Sequence, residues 1–156
     1  MAVYSVNSLV GGGTQQNATA TYATQINLTA ATATLTTSAV NDIEFGTAGT
    51  PADNYMEYDV SRSTTVGTGT SATPNPTNSA WRASGTVATV DLTAEPTVTA
   101  NSSLLYIPVN QRASYRWVAV PTCELIIPAT NTNGLAIRSR SASYTSKVGV
   151  TAFFTE

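Results

Sequence analysis

Apolar and polar residues alternate along most of this 156-residue chain, and no stretch repeats with the period of a helix. Alternation at period two places successive side chains on opposite faces of a strand. Met56, Tyr58 and Val60, for example, alternate with polar residues, which predicts a strand with one buried and one solvated face. Eight to ten such runs, separated by turn-forming residues, predict an all-β chain that forms a single β-sandwich of the jelly-roll or Greek-key type.

The densest run of large side chains lies in residues 104–121, where apolar residues alternate in two sets. The first set is Leu105, Ile107 and Val109, and the second set is Tyr115, Trp117 and Ala119. We expect a pair of strands there whose apolar faces hold the core, with Trp117 inside it. Pro108 lacks an amide hydrogen, so the first strand lies at an edge, contains a bulge or is short.

Residues 1–16 combine a short apolar run, from Val3 to Val10, with three consecutive glycines at positions 11–13. Glycine restricts its backbone dihedral angles least, so three in a row favour a hinge. We therefore predict a flexible N-terminal arm over residues 1–16, followed by the β-sandwich domain over residues 17–156. A first strand followed by a loose turn is the alternative interpretation.

Two further segments carry few large side chains. Residues 17–40 are rich in Ala and Thr, and their alternation changes register near Ala30 and Ala31, which predicts a hairpin. Small residues bury little area, so this hairpin is expected to depend on a neighbouring strand, from the same subunit or the next. Residues 67–79 contain Gly, Pro, Thr, Ser and Asn without a strand pattern, which predicts an exposed loop that is functional or mobile.

Composition narrows the class of protein further. Only 10% of the residues are charged while 42% are apolar, which argues against plain disorder, and the 28 Thr residues favour strands. The net charge of −2 gives no general attraction to nucleic acid or to anionic membranes. Residues 1–61 hold five acids and no base, whereas residues 62–156 hold four acids and seven bases. This asymmetry fits either chance or complementary patches that align copies or partners.

The residue types needed for catalysis or metal binding are nearly absent. The chain has no His and a single Cys, which excludes a His-assisted nucleophile and makes zinc, iron and copper sites implausible. Cys123 is expected to be a buried, inert thiol. Asp53, Glu57 and Asp59 form the only local group of acids, and a solvated strand face accounts for the last two. We expect no enzyme, no catalytic residue, no cofactor and no metal ion.

The chain begins without a basic segment followed by an apolar one, so we expect no signal peptide. No apolar run approaches the roughly 20 residues of a membrane-spanning helix. The expected protein is therefore not secreted and has no membrane partner.

Arginine and aromatic residues cluster in residues 112–117, and these residue types are enriched at interface hot spots. With Trp117 in the core, Arg112 and Arg116 are expected to point outward and to pair with carboxylates of a neighbour. Arg138 and Arg140 share one strand face and form a second basic strip, for which plain solvent exposure is the alternative. Together with apolar residues of the arm, the predicted partner-binding set is Val3, Tyr4, Val6, Leu9, Arg112, Arg116, Arg138 and Arg140.

Two segments, residues 105–119 and residues 125–145, together with the closing Phe-Phe-Thr-Glu, resemble small virion structural proteins of tailed bacteriophages, of the head-decoration or cement kind. The resemblance covers about the last third of the chain. It implies a β-rich protein that binds the outer surface of an assembled capsid and stabilises it. The implied partners are the major capsid protein and copies of the chain itself, arranged as a trimer. The implied location is the capsid surface of the virion, after synthesis in the host cytoplasm.

Two other functions stay open on the sequence alone. The polar segment 67–79 and the aromatic residues also suit a carbohydrate-binding or receptor-binding β-module of a tail or fibre, with a glycan as its partner. A tail-tube or filament subunit, in which edge strands join between copies, is the third candidate.

Overall fold

Two antiparallel β-sheets lie face to face in the computed structural model of the chain, which describes residues 1–9, 17–144 and 147–156. These residues form twelve strands. In chain order the strands are β1 (Val3–Asn7), β2 (Ala23–Ala30), β3 (Ser38–Thr47), β4 (Tyr55–Ser63), β5 (Thr68–Ala72), β6 (Asn75–Pro76), β7 (Thr86–Ala94), β8 (Val98–Asn110), β9 (Tyr115–Val118), β10 (Leu125–Ile127), β11 (Gly134–Arg140) and β12 (Val148–Thr155). Among the same residues, no helix is long and apolar enough to cross a membrane.

The chain passes repeatedly from one sheet to the other. Sheet I has the order β10-β3-β12-β1-β6, with β9 also paired to β3 beside β10. Sheet II has the order β5-β7-β2-β11-β4-β8. The first strand pairs with the last, and β2 pairs with β11, so the pairings are nested within one another. The predicted all-β sandwich is confirmed.

The core lies between the sheets and is built from the inward residues of the alternating strands. Phe45 of sheet I and Tyr58 of sheet II meet there with their ring centroids 4.7 Å apart. Tyr4 of β1 stacks on Phe154 of β12 at 5.6 Å. Each large apolar side chain buried in this way contributes roughly 1.5–3 kcal/mol. The inward set of β4, namely Met56, Tyr58 and Val60, is buried as its alternation predicts.

The N-terminal residues are part of the sandwich. β1 lies between β12 and β6, and Tyr4 and Val6 are buried in the core. The prediction of a free arm is therefore wrong for residues 3–7, and the alternative, a first strand, is observed. The physical reason is the alternation of Tyr4 and Val6 with Val3 and Ser5, which gives β1 one apolar face to bury. The predicted glycine hinge lies in residues 10–16, outside the described residues.

The predicted hairpin in residues 17–40 is also wrong. β2 lies in sheet II between β7 and β11, whereas β3 lies in sheet I. Every residue of β2 is buried, because strands flank it on both sides and both of its faces are covered. The neighbour that these small residues need is therefore supplied by the same chain.

The apolar run in residues 104–121 does not form a strand pair. β8 is the edge of sheet II, and β9 is at an edge of sheet I, so they belong to different sheets. Ile107 is buried and Trp117 packs, partly buried, against the core. Since each edge strand is covered on one face only, Tyr106 and Val118 are left more than half exposed, at 52% and 58%.

Residues 67–79, predicted to be a loop, contain β5 and β6. The side chains of β5 are almost all exposed, so the segment is held by its backbone pairing with β7 and carries no apolar pattern. Glycine is required for this pairing, because a Cβ atom at Gly69 would lie 2.6 Å from the Val90 carbonyl oxygen.

The outer face of sheet II is covered by the chain itself. The segment between β4 and β5 and the segment between β7 and β8 run side by side across it, and the amide of Thr64 donates to the Thr97 carbonyl oxygen at 2.8 Å. Beneath them, the Asn27 amide donates to Ser63 and accepts from the Gly67 amide. Among the described residues, no connection crosses sheet I in the same way, and β12 alternates strictly between buried and half-buried residues.

Candidate functional site

The outer face of sheet I is open in the described part of the chain, and its side chains line up in rows across four strands. One row runs from Asn7 through Thr151 and Glu44 to Arg116. The next row runs from Ser5 through Phe153 and Asp42 to Val118. A third row runs from Val3 through Thr155 and Ala39 to Ile126. These rows place polar groups at one end of the face and apolar groups at the other.

The apolar part of the face lies at β9 and β10 and is called here the β9–β10 strip, formed by Val118, Val120 and Ile126. These side chains are 58%, 69% and 40% exposed. Phe153, next to Asp42 in register, adds a partly exposed ring. Contiguous exposed apolar residues of this kind mark interaction surfaces more often than isolated ones do.

The charged part of the face is internally paired. The Nε atom of Arg116 donates to both carboxylate oxygens of Asp42, at 3.1 Å and 3.0 Å, and Nη2 donates to one of them at 2.5 Å. Nε also lies 3.7 Å from a carboxylate oxygen of Glu44. The hydrogen bonds with Asp42 raise the pKa of Arg116 above its ordinary value. The Arg116 guanidinium thus faces two carboxylates, and its positive charge is compensated within the chain.

A cleft of about 570 Å³ lies at the polar end of the face. Its lining includes Asn7, Leu9, Tyr115 and Gly149. Gly149 is paired in register with Gly46, so the sheet has no side chain at either position. Of these two glycines, Gly149 lines the cleft, and its outward position in an alternating run is the one sequence signal that pointed to the cleft.

The structure places only part of the predicted partner-binding set on this open face. Val3, Leu9 and Arg116 lie there. Tyr4 and Val6 are buried, at 0% and 4% exposure, and do not reach a partner. That part of the prediction is wrong, because it assumed that the residues around them formed a free arm.

The other predicted arginines are engaged within the chain. Arg112 pairs with Asp53 at 3.0 Å on an exposed loop. Arg138 bonds to Asp59, and Arg140 bonds to Glu57, on the outer face of sheet II. Arg112 was expected to pair with a carboxylate of a neighbour, and its partner lies in the same chain. Arg138 and Arg140 were expected to form a basic strip or to be exposed, and they are paired within the chain.

Arg138 and Arg140 also stack over one aromatic ring. Their guanidinium carbons lie 4.5 Å and 4.7 Å from the centre of the Tyr22 ring. The hydrogen bond from Arg140 holds the pKa of Glu57 below its ordinary value, and burial raises the pKa of Tyr22. The basic strip predicted on the sequence is thus a paired cluster that ties β11 to β4.

Two expectations about polar residues are corrected. Asp59 and Ser61, predicted to lie on a solvated strand face, are 3% and 1% exposed, because Arg138 and β8 pack against them. Cys123, predicted to be buried, is exposed in the turn that follows β9. In the described part of the chain, no three residues among His, Cys, Asp and Glu are grouped so that they could hold a metal ion.

The fold and the site define a class: an antiparallel β-sandwich domain with one outer face covered by its own chain and one open. Comparison of the chain with protein-family models, curated proteins and solved structures finds no match.

Proposed function

We propose that this chain is a non-catalytic structural protein of a tailed-phage virion, a decoration or cement protein that docks onto the outer surface of the capsid and stabilises it. The observation that carries the proposal is the exposed apolar β9–β10 strip on the outer face of sheet I, whereas two connections of the chain cross the outer face of sheet II. The likeness of residues 105–119 and 125–145 to head-decoration proteins supplies the partner.

The chemistry of the open face suits a docking surface. Arg116 on this face is already paired with Asp42 and Glu44, so docking would bury this arginine together with its counter-charges. Burial of the β9–β10 strip removes exposed apolar side chains from water, which is the main favourable contribution to association. The contact is therefore expected to be mainly apolar.

Many copies of a weak contact together give strong attachment to the capsid. A capsid presents the same site many times, and linked copies bind with an avidity above that of a single contact. A trimer around a capsid symmetry axis is the arrangement expected from the resemblance, and cyclic symmetry makes each of its contacts equivalent.

The test is attachment of the purified protein to heads of the virus that encodes it, prepared without this protein. The double variant Val118→Asp/Val120→Asp should attach at least about tenfold more weakly, because a carboxylate buried without a partner costs more than about 1.4 kcal/mol. The double variant Val66→Asp/Leu104→Asp is the matched control, since it places the same two charges at exposed apolar residues outside the β9–β10 strip. Equal attachment of all three proteins, or no attachment of the wild type, would refute the proposal.

The edges of the sheets do not favour a tail-tube or filament subunit. β9 and β10 have four and three residues, and β6 has two. β8 is longer, with thirteen residues, but contains Pro108, which has no amide to donate to a further strand. Edges of this kind are typical of sheets that avoid joining between copies.

A further inference from the structure

We propose that the end of the outer face of sheet II that carries Tyr55 and Tyr106 is a binding site for a short neutral oligosaccharide. The juxtaposition that carries the proposal is two exposed tyrosines with a proline between them, beside a shallow depression lined by amide and carboxylate groups. The β9–β10 strip lies on the other sheet, so the site does not depend on capsid docking.

This end of sheet II lies away from the two connections that cross its outer face. The connections meet where the amide of Thr64 donates to the Thr97 carbonyl oxygen, just beyond the last residue of β4. Tyr55 is the first residue of β4 and pairs with Asn110, the last residue of β8. The two connections therefore leave the Tyr55 end of the face accessible, and Tyr55 is 49% exposed.

Two tyrosines and a proline form an exposed surface along β4 and β8. Tyr106 and Pro108 flank the buried Ile107 and so point outward, and Tyr106 is 52% exposed. Tyr106 pairs with Asp59, and Pro108 pairs with the residue midway between Asp59 and Tyr55. The two tyrosines thus lie roughly 13 Å apart along the strands, a length that suits about two or three linked pyranose rings.

The ring of Tyr106 is held in place by a hydrogen bond to the neighbouring strand. Its hydroxyl donates to Oε1 of Glu57 at 2.9 Å. This hydrogen bond raises the pKa of Tyr106 above its ordinary value, so the hydroxyl keeps its proton at neutral pH. Glu57 also accepts from Arg140, whose guanidinium carbon lies 4.7 Å from the centre of the Tyr22 ring. A side chain fixed in this way loses little conformational entropy when a ligand binds, which favours affinity.

Hydrogen-bonding groups lie beside the aromatic surface. A shallow depression of about 530 Å³, within the range of small-molecule sites, is lined by Tyr55 and Pro108 together with Asp53, Asn54 and Asn110. Sugar hydroxyls both donate and accept hydrogen bonds, and the asparagine amides and the carboxylate offer donors and acceptors for them. A pyranose also presents C–H groups on its faces, and an exposed aromatic ring is a suitable surface for these.

The charge at the site favours a neutral sugar over an acidic one. Arg112 lies 3.0 Å from a carboxylate oxygen of Asp53, and Arg140 is bonded to Glu57. An incoming carboxylate or sulfate would meet arginines that are already compensated and would be repelled by their partners. A neutral sugar meets hydrogen-bonding groups without this cost.

The test uses saturation-transfer NMR and amide chemical shifts of the protein with cellotriose, mannotriose and chitotriose, and with sialyllactose as the acidic probe. At least one neutral trisaccharide should bind and shift the amides of Tyr55, Tyr106 and Asn110, while the amides of Glu44 and Thr151 on sheet I stay unchanged. Tyr55→Ala and Tyr106→Ala each remove one aromatic surface, so each should weaken binding about tenfold or more.

Tyr115→Ala is the matched control, because it removes a tyrosine of similar exposure, 42%, from β9 of sheet I. It should bind within about twofold of the wild type. Amide spectra should show that all three variants keep the wild-type fold. The proposal is overturned if no neutral trisaccharide binds, if sialyllactose binds more tightly, if the shifted amides lie on sheet I, or if folded Tyr55→Ala and Tyr106→Ala bind as well as Tyr115→Ala.

Discussion

At the scale of single residues, the few charges of this chain serve mainly as internal ties. Asp59 accepts hydrogen bonds from Arg138 at 2.6 Å, from Ser61 at 2.6 Å and from Ser103 at 2.5 Å. It thereby joins β4 to both of its neighbours in sheet II, β11 and β8. Its side chain is only 4% exposed. Removal of a buried carboxylate that accepts this many hydrogen bonds lowers the free energy of unfolding strongly, because the donors are left buried without a partner.

Asp59→Ala should therefore lower the free energy of unfolding by about 3 kcal/mol, because Arg138 loses its partner while it is still largely buried. Asp53→Ala is the matched control, since Asp53 pairs with Arg112 but is 73% exposed. An exposed pair is worth about 1 kcal/mol or less. Urea unfolding of the two variants measures the difference, and equal losses would contradict the burial of Asp59.

The pKa of Glu57 gives a prediction about pH. The hydrogen bond from Arg140 lowers the pKa of Glu57 in the folded chain. Its ionised form therefore stabilises the fold at pH values above its ordinary pKa of about 4.3, and this contribution is lost as the pH falls through the lower, folded value. Glu57→Gln should be less stable than the wild type at pH 7, and the two should converge under acidic conditions. Thermal unfolding of the two proteins at several pH values measures the difference in stability. A difference that does not change with pH would contradict this account.

The positions of these charges along the chain explain why their roles were mispredicted. Arg138 is 79 residues from Asp59, and Arg140 is 83 residues from Glu57. Alternation is a local pattern, so it correctly placed Arg138 and Arg140 on one strand face. The alternation pattern does not tell which strand lies next to this one in the sheet. The pairing of these arginines with Asp59 and Glu57 therefore could not be predicted.

At the scale of elements, the spacing of strands in sheet II depends on glycine at one position. A Cβ atom at Gly134 would lie 2.0 Å from the Leu28 carbonyl oxygen and 2.8 Å from Cγ2 of Thr29. Neither the backbone of β2 nor that of β11 can move without disturbing its other neighbour in the sheet. Gly134 is thus required by a close approach between two central strands.

Gly134→Ala should destabilise the fold by about 3 kcal/mol, at the upper end of the cost of overpacking. Gly46→Ala should instead be neutral or stabilise the fold by up to about 1 kcal/mol, because its Cβ would meet open space and alanine is the less costly residue in a strand. Chemical unfolding of the two variants provides the comparison. A tolerated Gly134→Ala would show that β2 and β11 are farther apart than described.

The strands also show which parts of the fold the sequence could predict and which it could not. The inward residues of β4 followed from their alternation, because this strand has one clear apolar face. The prediction of a hairpin between residues 17 and 40 was wrong, because β2 and β3 pair with strands that are distant in sequence. β1 was misjudged because the glycines after it suggested a hinge, although its own alternation is that of a strand.

At the scale of the whole molecule, the two outer faces differ. Connections between β4 and β5 and between β7 and β8 cross sheet II and bury its polar side chains. In the described part of the chain, the outer face of sheet I is open, with an apolar strip at one end and a cleft at the other. The sandwich was predictable from periodicity, but the difference between its faces depends on where the connections run and could not be predicted.

The central claim is that this chain acts as a repeated structural subunit docked on a capsid through the open face of sheet I. The most direct measurement is quantitative mass spectrometry of purified virions of the virus that encodes the chain, with its copies counted against the major capsid protein. The account predicts many copies in a fixed ratio to that protein, and their loss when Val118→Asp/Val120→Asp replaces the wild type. Absence from the virion, or only a few copies per particle, would contradict it.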